Sequence, residues 1–298
     1  MSRRNPNRVR ESAGTQVMMV IIYTILALSI VVCLFPFIYV IANSLSDPNY
    51  VISRSVYFLP KGFSLGAYEL VFETEQVWVA YRNTIVYTVL GTLISTVTQL
   101  AFAYPLSRKD FSGRRFFNIF ILITMFFSGG TVPLFIVVNN LKLYNTIWGV
   151  LLPMSVSTWN VIIARTFFHG IPSSLHEAAM IDGANDLYIM GKIIVPLSKP
   201  IISVVALYSA VAFWNAYFIP MIMTTKESLQ PLQIFLMKVV VQNSSNTALG
   251  SMQGYERLLT GSQLKYAVII VAILPIICVY PFLQKYFIKG VLIGSVKE

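Results

Sequence analysis

VMMVIIYTILALSIVVCLFPFIYVIAN, residues 17–43, is a run of 27 residues without one Asp, Glu, Lys or Arg. A helix needs about 20 mainly apolar residues to cross the hydrocarbon core of a bilayer, and this run is long enough. It exceeds the apolar region of a secretory leader, and no small-residue cleavage pattern follows it, so it is expected to stay in the mature protein as a helix. The rest of the chain agrees. Of its 298 residues 56% are hydrophobic and 11% charged, and the mean hydropathy is +0.70, outside the composition of a soluble globular domain.

Five further apolar stretches have the same character: residues 83–106, 116–139, 144–164, 200–224 and 266–284. None of the six holds an Asp, Glu, Lys or Arg. A seventh charge-free stretch, 239–255, carries Gln242, Asn243, Ser244, Ser245 and Asn246 in its middle. Burying so many amides in lipid is too unfavourable, and an extramembrane loop is expected there. The predicted fold is therefore an all-α membrane protein of six transmembrane helices. One membrane domain covers residues 17–285, between a basic N-terminal arm at 1–16 and a tail at 286–298.

The formal net charge is +10, which can signal nucleic acid or a membrane surface, and its placement decides between them. With the N-terminus in the cytoplasm, Arg3, Arg4, Arg8, Arg10, Arg108, Lys109, Arg114, Arg115, Arg165, Lys192, Lys199, Lys285, Lys289 and Lys297 all lie inside. These are fourteen of the 22 basic residues. The positive-inside rule thus places both termini in the cytoplasm, and nucleic acid is not an expected partner. Cys33 and Cys278 fall within predicted helices, where a thiol behaves as a small buried hydrophobe. They show neither a pairing pattern nor metal-ligand spacing, and no metal site is expected.

The loops divide by side. Outside lie 44–82, whose Pro48, Pro60 and Gly62 suggest turns and a short surface helix, the turn 140–143, and the long loop 225–265. Within that long loop, 229–241 is apolar enough to lie along the interface. Loops of such length are often functional. Inside lie a basic turn at 107–115 and a loop at 169–199 that is too long to be a mere connection.

That inner loop contains SSLHEAAMIDGANDLYIMGKIIVPLSKP, residues 173–200. Pro172 precedes a capping-box pattern in which Ser174 and Glu177 would satisfy free amides at the start of a helix spanning about 175–182. Gly183 can supply the left-handed conformation that ends it, and Asn185 or Asp186 can cap a second helix. Leu187, Met190 and Ile194 recur there at helical spacing, and Pro196 and Pro200 break the chain before the fifth span. Two short helices meeting at a glycine, with small residues Ala178 and Ala179 for close contact, make a projection suited to a partner's cleft.

Glu177-Ala178-Ala179, Asp182-Gly183-Ala184, Ile193, Val195-Pro196-Leu197 and Pro200 resemble, in type and spacing over about 24 positions, the EAA loop of binding-protein-dependent ABC importer permeases. The whole chain is similar to the MalG-type half of carbohydrate permeases, with the LplC- and YtcP-like subgroup nearest in character. The resemblance implies a type I ABC importer permease fold in a bacterial plasma membrane. It also implies a coupling helix that docks on an ATP-binding subunit, with Glu177 and Gly183 as its central positions. Glu177 has a second reading, as a helix cap, and Gly183 one as a simple turn; capping and docking can coexist. The implied partners are a second permease, two ABC ATPases that carry ATP and Mg, and an extracytoplasmic solute-binding protein. The tail containing Lys289, Gly290 and Lys297 is similar to the family's ending near the ATPase dimer, although Glu298 stands where relatives often have Gly. By the same resemblance the segment of the outer loop with Asn243, Ser244, Ser245, Asn246 and Gln253 would reach into the binding protein, or else act as a passive lid.

A sugar is recognised by hydrogen bonds to its hydroxyls and by aromatic faces against its C–H surface. Gln99, Trp159, Asn160, Trp214, Asn215 and Tyr217 bring those groups into otherwise apolar helices. Trp214-Asn215 also matches a pair frequent in sugar permeases. Interfacial anchoring and helix–helix bonding are the alternative roles for such residues. A secondary carrier is the rival function, and it would normally need an ionisable relay within the spans, which the sequence lacks. An embedded hydrolase would need a metal or acid–base cluster, yet His169 and His176 stand alone. No G-x-x-x-x-G-K-[ST] motif occurs, so the chain carries no cofactor and ATP hydrolysis would belong to partner subunits.

Overall fold

The computed structural model describes residues 13–242 and 261–278. The described residues are helical throughout, apart from turns and a single isolated bridge between Ser46 and Phe63. The chain divides into two compact units, residues 1–70 with 246–270, and 71–245 with 271–298.

In the first unit α1 (Ala13–Ser44) is unbroken. Within Gly14–Ser44 the most apolar 18-residue window has a mean hydropathy of 2.9 and none of it is buried by protein. A helix apolar on all sides and uncovered by protein requires an apolar solvent. Thr24 and Ser29 return their hydroxyls to the carbonyls of Val20 and Ile25 at 2.8 Å, so no polar group of these residues is left to lipid. The C-terminal end is polar and packed. Tyr68 donates to Ser44 Oγ at 2.8 Å and Gln263 Nε2 to the Ser44 carbonyl at 3.1 Å. Asp47 caps α2 (Pro48–Ile52). Helix α3 (Gly66–Glu73) fulfils the expectation of a short helix in this loop.

The second unit is built on α4 (Glu75–Ser107), α5 (Arg114–Phe126), α6 (Thr131–Asn140), α7 (Trp148–Met154) and α8 (Thr158–His169). It continues through α9 (Ser173–Ile181), α10 (Asp186–Leu197), α11 (Lys199–Trp214), α12 (Phe218–Met223) and α13 (Leu232–Gln242). The last described helix, α14 (Gly261–Cys278), begins in the first unit and ends in the second.

Among the described residues three helices, α1, α4 and α14, are long and apolar enough to span a membrane. Three helix pairs meet the same criterion only together: α5 with α6 at a bend of 116°, α7 with α8 at 49°, and α10 with α11 at 86°. The breaks have local causes. Gly130, at φ +87°, turns the chain between α5 and α6, a conformation that a side chain would strain. Pro153 closes α7 and Ser157 restarts the chain by accepting from Asn160 N at 3.5 Å. Pro200 sits in the first turn of α11, after the break at Ser198. The stretch expected as one span at 200–224 is likewise interrupted after Trp214, before α12.

Helix α4 is the axis of this unit. Leu100, Ala103, Tyr104 and Leu106 pack with Val161, Ala164 and Phe168 of α8 and with Ile201 and Val205 of α11. At the other end Tyr87 joins Val138, Val150, Leu151, Phe213 and Met223. Polar side chains of α4 fasten residues 226–232 there. Asn83 Nδ2 donates to the carbonyls of Ser228 and Gln230 at 2.8 and 3.1 Å, and Tyr87 to Leu229 at 2.7 Å. The 229–241 segment, expected along the interface, instead seats Leu232, fully buried, against α4. Cys33 and Cys278, expected to be buried, are exposed on apolar helix faces.

The two ends of this unit sort the loops. Asn145 Oδ1 accepts from the amides of Thr225 and Lys226 at 2.6 and 3.3 Å, joining the 140–147 turn to the start of the 225–265 loop. At the opposite end of α4, His169 Nδ1 lies 3.1 Å from the Ser107 carbonyl, joining the 107–115 turn to the 169–199 loop. Loops assigned to one side by charge thus share one end of the unit.

Candidate functional site

The 169–199 loop forms two helices around one glycine. Helix α9 begins at Ser173, two residues before the expected start, with Pro172 as its N-cap and no side-chain cap bond. The capping box anticipated from Ser174 and Glu177 is therefore not made. The earlier start places Glu177 one turn inside the helix, where it is exposed. The other end follows the sequence expectation: Gly183, at φ +80°, donates to Met180 O, and Ala184 donates to Ala179 O, both at 3.0 Å. This bond pair is a Schellman ending, which satisfies the last carbonyls of the helix. Asn185 then caps α10, accepting from Tyr188 N at 2.8 Å.

Helix α10 contains a π-helical stretch, Ile189–Ile194. Ile189 and Ile194 are buried at 0% and 5% exposure and Met190 packs against the same core, whereas Leu187, at helical spacing from Met190 and Ile194 in the sequence, is 82% exposed. A wider π turn changes the angular step per residue, so a 3.6-residue count fails across it. Pro196 follows directly and cannot donate a backbone bond.

One face of this projection is anchored, and the other is uncovered among the described residues. Ala179, Ile189 and Ile194 join the core of α4 and α8. His176, 6% exposed, sets Nδ1 3.3 Å from Tyr104 Oη of α4 and Nε2 3.6 Å from Asp186 Oδ1 of α10. One imidazole thus touches the central helix and both loop helices. On the outer face Glu177, Ala178, Asp182 and Gly183 are exposed. They are flanked by Met180, Ile181 and Tyr188 at 56%, 87% and 56% exposure. Exposed apolar residues clustered around a polar set are the signature of an interaction surface. Beside it, Arg108 Nε donates to Asp110 Oδ1 at 2.8 Å, and this contact holds the Asp110 carboxyl below the usual carboxylate range.

A second feature lies among the spans of the same unit. A cavity of about 380 Å³ is lined by Gln99, Ser157, Trp159, Asn160, Tyr208, Ser209 and Phe213, among others. It unites three of the six residues picked out for a sugar path, Gln99, Trp159 and Asn160. Trp214, Asn215 and Tyr217 lie outside its lining. Asn215 returns its amide to Val211 O at 2.9 Å as the C-cap of α11, and Tyr217 meets Phe218 edge to face. Sequence reasoning missed Tyr208 and Ser209, because a serine within an apolar span normally bonds its own helix. The binding-protein residues Asn243, Ser244, Ser245, Asn246 and Gln253, and the tail residues Lys289, Gly290 and Lys297, lie outside the described residues.

Residues 7–293 match the family described as the inner membrane component of binding-protein-dependent transport systems. The chain belongs to this family. It is a permease component of the bacterial inner membrane, not an enzyme. Over 277 residues, 93% of this chain and 97% of the relative, the permease is 39% identical to the polygalacturonan/rhamnogalacturonan transport system permease protein YtcP of Bacillus subtilis (strain 168). It is 38% identical over 267 residues to protein LplC of the same organism, covering 89% of this chain and 90% of the relative. In three dimensions it is similar to a chain of a bacterial ABC transporter that imports the acidic polysaccharide alginate. That likeness has a TM-score of 0.85 and 33% identity, with 94% of this chain and 99% of the other covered. The fold is therefore that of a type I ABC permease.

Proposed function

We propose that this permease is one half of the translocation path of a carbohydrate importer, that its cargo is an oligosaccharide, and that residues 173–197 couple it to ATPase subunits. The observation that carries the coupling is the two-sided build of that projection. Its inner face is held to α4 and α8 by Ala179, His176 and Ile189, and its outer face presents Glu177, Ile181 and Gly183, exposed among the described residues. Force applied to the outer face passes through close-packed contacts into the spans. The carbohydrate cargo is supported by the substrates named for YtcP and for the alginate transporter.

In this reading six spans cross the membrane and both termini lie in the cytoplasm. The loop pairing at the two ends of α4 supports that topology, as does the distribution of basic residues. The working assembly contains a second permease half, two ATPases that hold ATP and Mg, and a binding protein on the outer side. When the ATPases close, residues 173–197 move with them, and the bent helix pairs rotate to open the path outward. Lys289, Gly290 and Lys297 would reinforce the ATPase contact, and Asn243, Ser244, Ser245, Asn246 and Gln253 the binding-protein contact.

Affinity purification of the tagged permease from its native membrane in mild detergent tests this reading. An ATPase should co-purify, and an oligosaccharide delivered by the binding protein should stimulate hydrolysis. Transport by a preparation with no nucleotide hydrolase attached would contradict it.

A further inference from the structure

Two polar atoms on residues that line this cavity, Gln99 Oε1 and Ser209 Oγ, are buried and have no hydrogen-bond partner among the described residues. Their residues are 1% and 4% exposed. The Gln99 amide is already oriented, because its Nε2 donates to the Ser155 carbonyl at 3.2 Å. Its oxygen is therefore left as an acceptor. Buried polar atoms of folded proteins are nearly always satisfied, and two unsatisfied ones on lining residues of one cavity call for a partner that brings hydrogen-bonding groups. Trp159 and Tyr208, 55% and 39% exposed, line the same cavity and supply faces for a C–H surface.

The volume, about 380 Å³, lies near the lower end of the roughly 300–1,000 Å³ typical of ligand pockets. It suits a small part of a saccharide, not a long chain. The lining contains no Arg, Lys, His, Asp or Glu. A carboxylate brought here would be desolvated without a counter-charge, which is strongly unfavourable.

We propose that this cavity is a saccharide subsite that reads uncharged hydroxyls through Gln99 and Ser209 and takes no part in reading carboxylates. This rests on the carbohydrate reading above. If the cargo is acidic, as for the relatives, its charged groups are handled elsewhere in the assembly, and this half recognises the neutral face of the ring.

The test uses the complete transporter in nanodiscs, with trigalacturonide and its carboxyl-reduced counterpart as probes, and binding measured by saturation-transfer-difference NMR. Ser209→Ala removes a hydroxyl that makes no bond among the described residues, so folding is expected to survive. Gln99→Leu removes the second acceptor. Each variant should weaken binding of both probes about three- to tenfold, the value of one hydrogen bond, and by the same factor for the acidic and the reduced sugar. A loss confined to the acidic probe would overturn the proposal, as would unchanged binding of both probes to the Ser209→Ala transporter. If the wild-type complex hydrolyses ATP yet binds neither these probes nor any of a panel of neutral and acidic oligosaccharides, the carbohydrate reading fails and the subsite falls with it.

Discussion

The cytoplasmic projection and the intramembrane cavity are assembled in opposite ways. The projection is local: Pro172, Gly183, Asn185 and Pro196 punctuate one stretch of chain, and every bond that shapes its turn joins residues within five positions. The cavity is assembled from distant segments, with Gln99 on α4, Asn160 on α8 and Ser209 on α11. A local element can be transplanted nearly intact between relatives, which suits a part that must fit a common motor. A site pooled from three helices changes whenever any of them shifts, which suits a part that must differ from cargo to cargo.

That contrast can be broken most sharply at Gly91. A Cβ there would lie 2.6 Å from the Phe213 ring, and Phe213, 1% exposed, both packs α4 on α11 and lines the cavity. Gly91→Leu is expected to destabilise the second unit by about 1–3 kcal/mol through overpacking and to abolish uptake; thermal unfolding in detergent and transport assays measure both. If stability and uptake survive, the cavity tolerates movement of its wall.

At Gly183 the surroundings are open, with nothing within 4 Å of an added Cβ, so the left-handed backbone alone is at stake. Gly183→Val should cost about 1–2 kcal/mol at that turn and lower substrate-stimulated ATPase activity about tenfold without loss of membrane insertion. Gly183→Asn, a residue that tolerates this conformation, should retain most of the coupling. Equal defects in both variants would point to a contact with the side-chain-free surface instead of to backbone shape.

Tyr104→Phe removes the hydroxyl that faces His176 while keeping the ring against Phe168. It should reduce coupling two- to fivefold, about the value of one hydrogen bond, with assembly intact as judged by co-purification of the ATPase. The smallest effect belongs to Asp110. Its ionised form is favoured by Arg108, so its contribution is present above the ordinary carboxylate pKa of about 4 and is lost as pH falls through the lowered value. Between pH 6 and pH 3 the melting temperature of Asp110→Asn should fall slightly less steeply than that of the wild type.

The sequence made the projection legible because its turns are chemical: a glycine at positive φ and an asparagine cap can be recognised one residue at a time. The apolar stretches likewise announced a membrane protein. Their continuity was less visible. Hydropathy sums over a break, so the 116° bend at residues 127–130 passed as one span even though Gly129-Gly130 lay in it. The π turn of α10 was beyond any periodicity count, and across it Leu187 is exposed while Ile194, at helical spacing from it, is buried. In the cavity, Gln99, Trp159 and Asn160 stood out by residue type, while Ser209 needed its neighbours before it meant anything. Of the pair Trp214-Asn215, outside the cavity lining, Asn215 is the C-cap of α11.

The central claim is that residues 173–197 grip a motor. With Cys33 and Cys278 replaced, a single cysteine substituted for Ile181, 87% exposed at the end of α9, can be paired with cysteines placed along the cleft of the co-purified ATPase. Efficient disulfide formation, with loss of uptake on oxidation and recovery on reduction, is the predicted result. An Ile181→Cys transporter that forms no cross-link at any cleft position while hydrolysing ATP in response to substrate would contradict it.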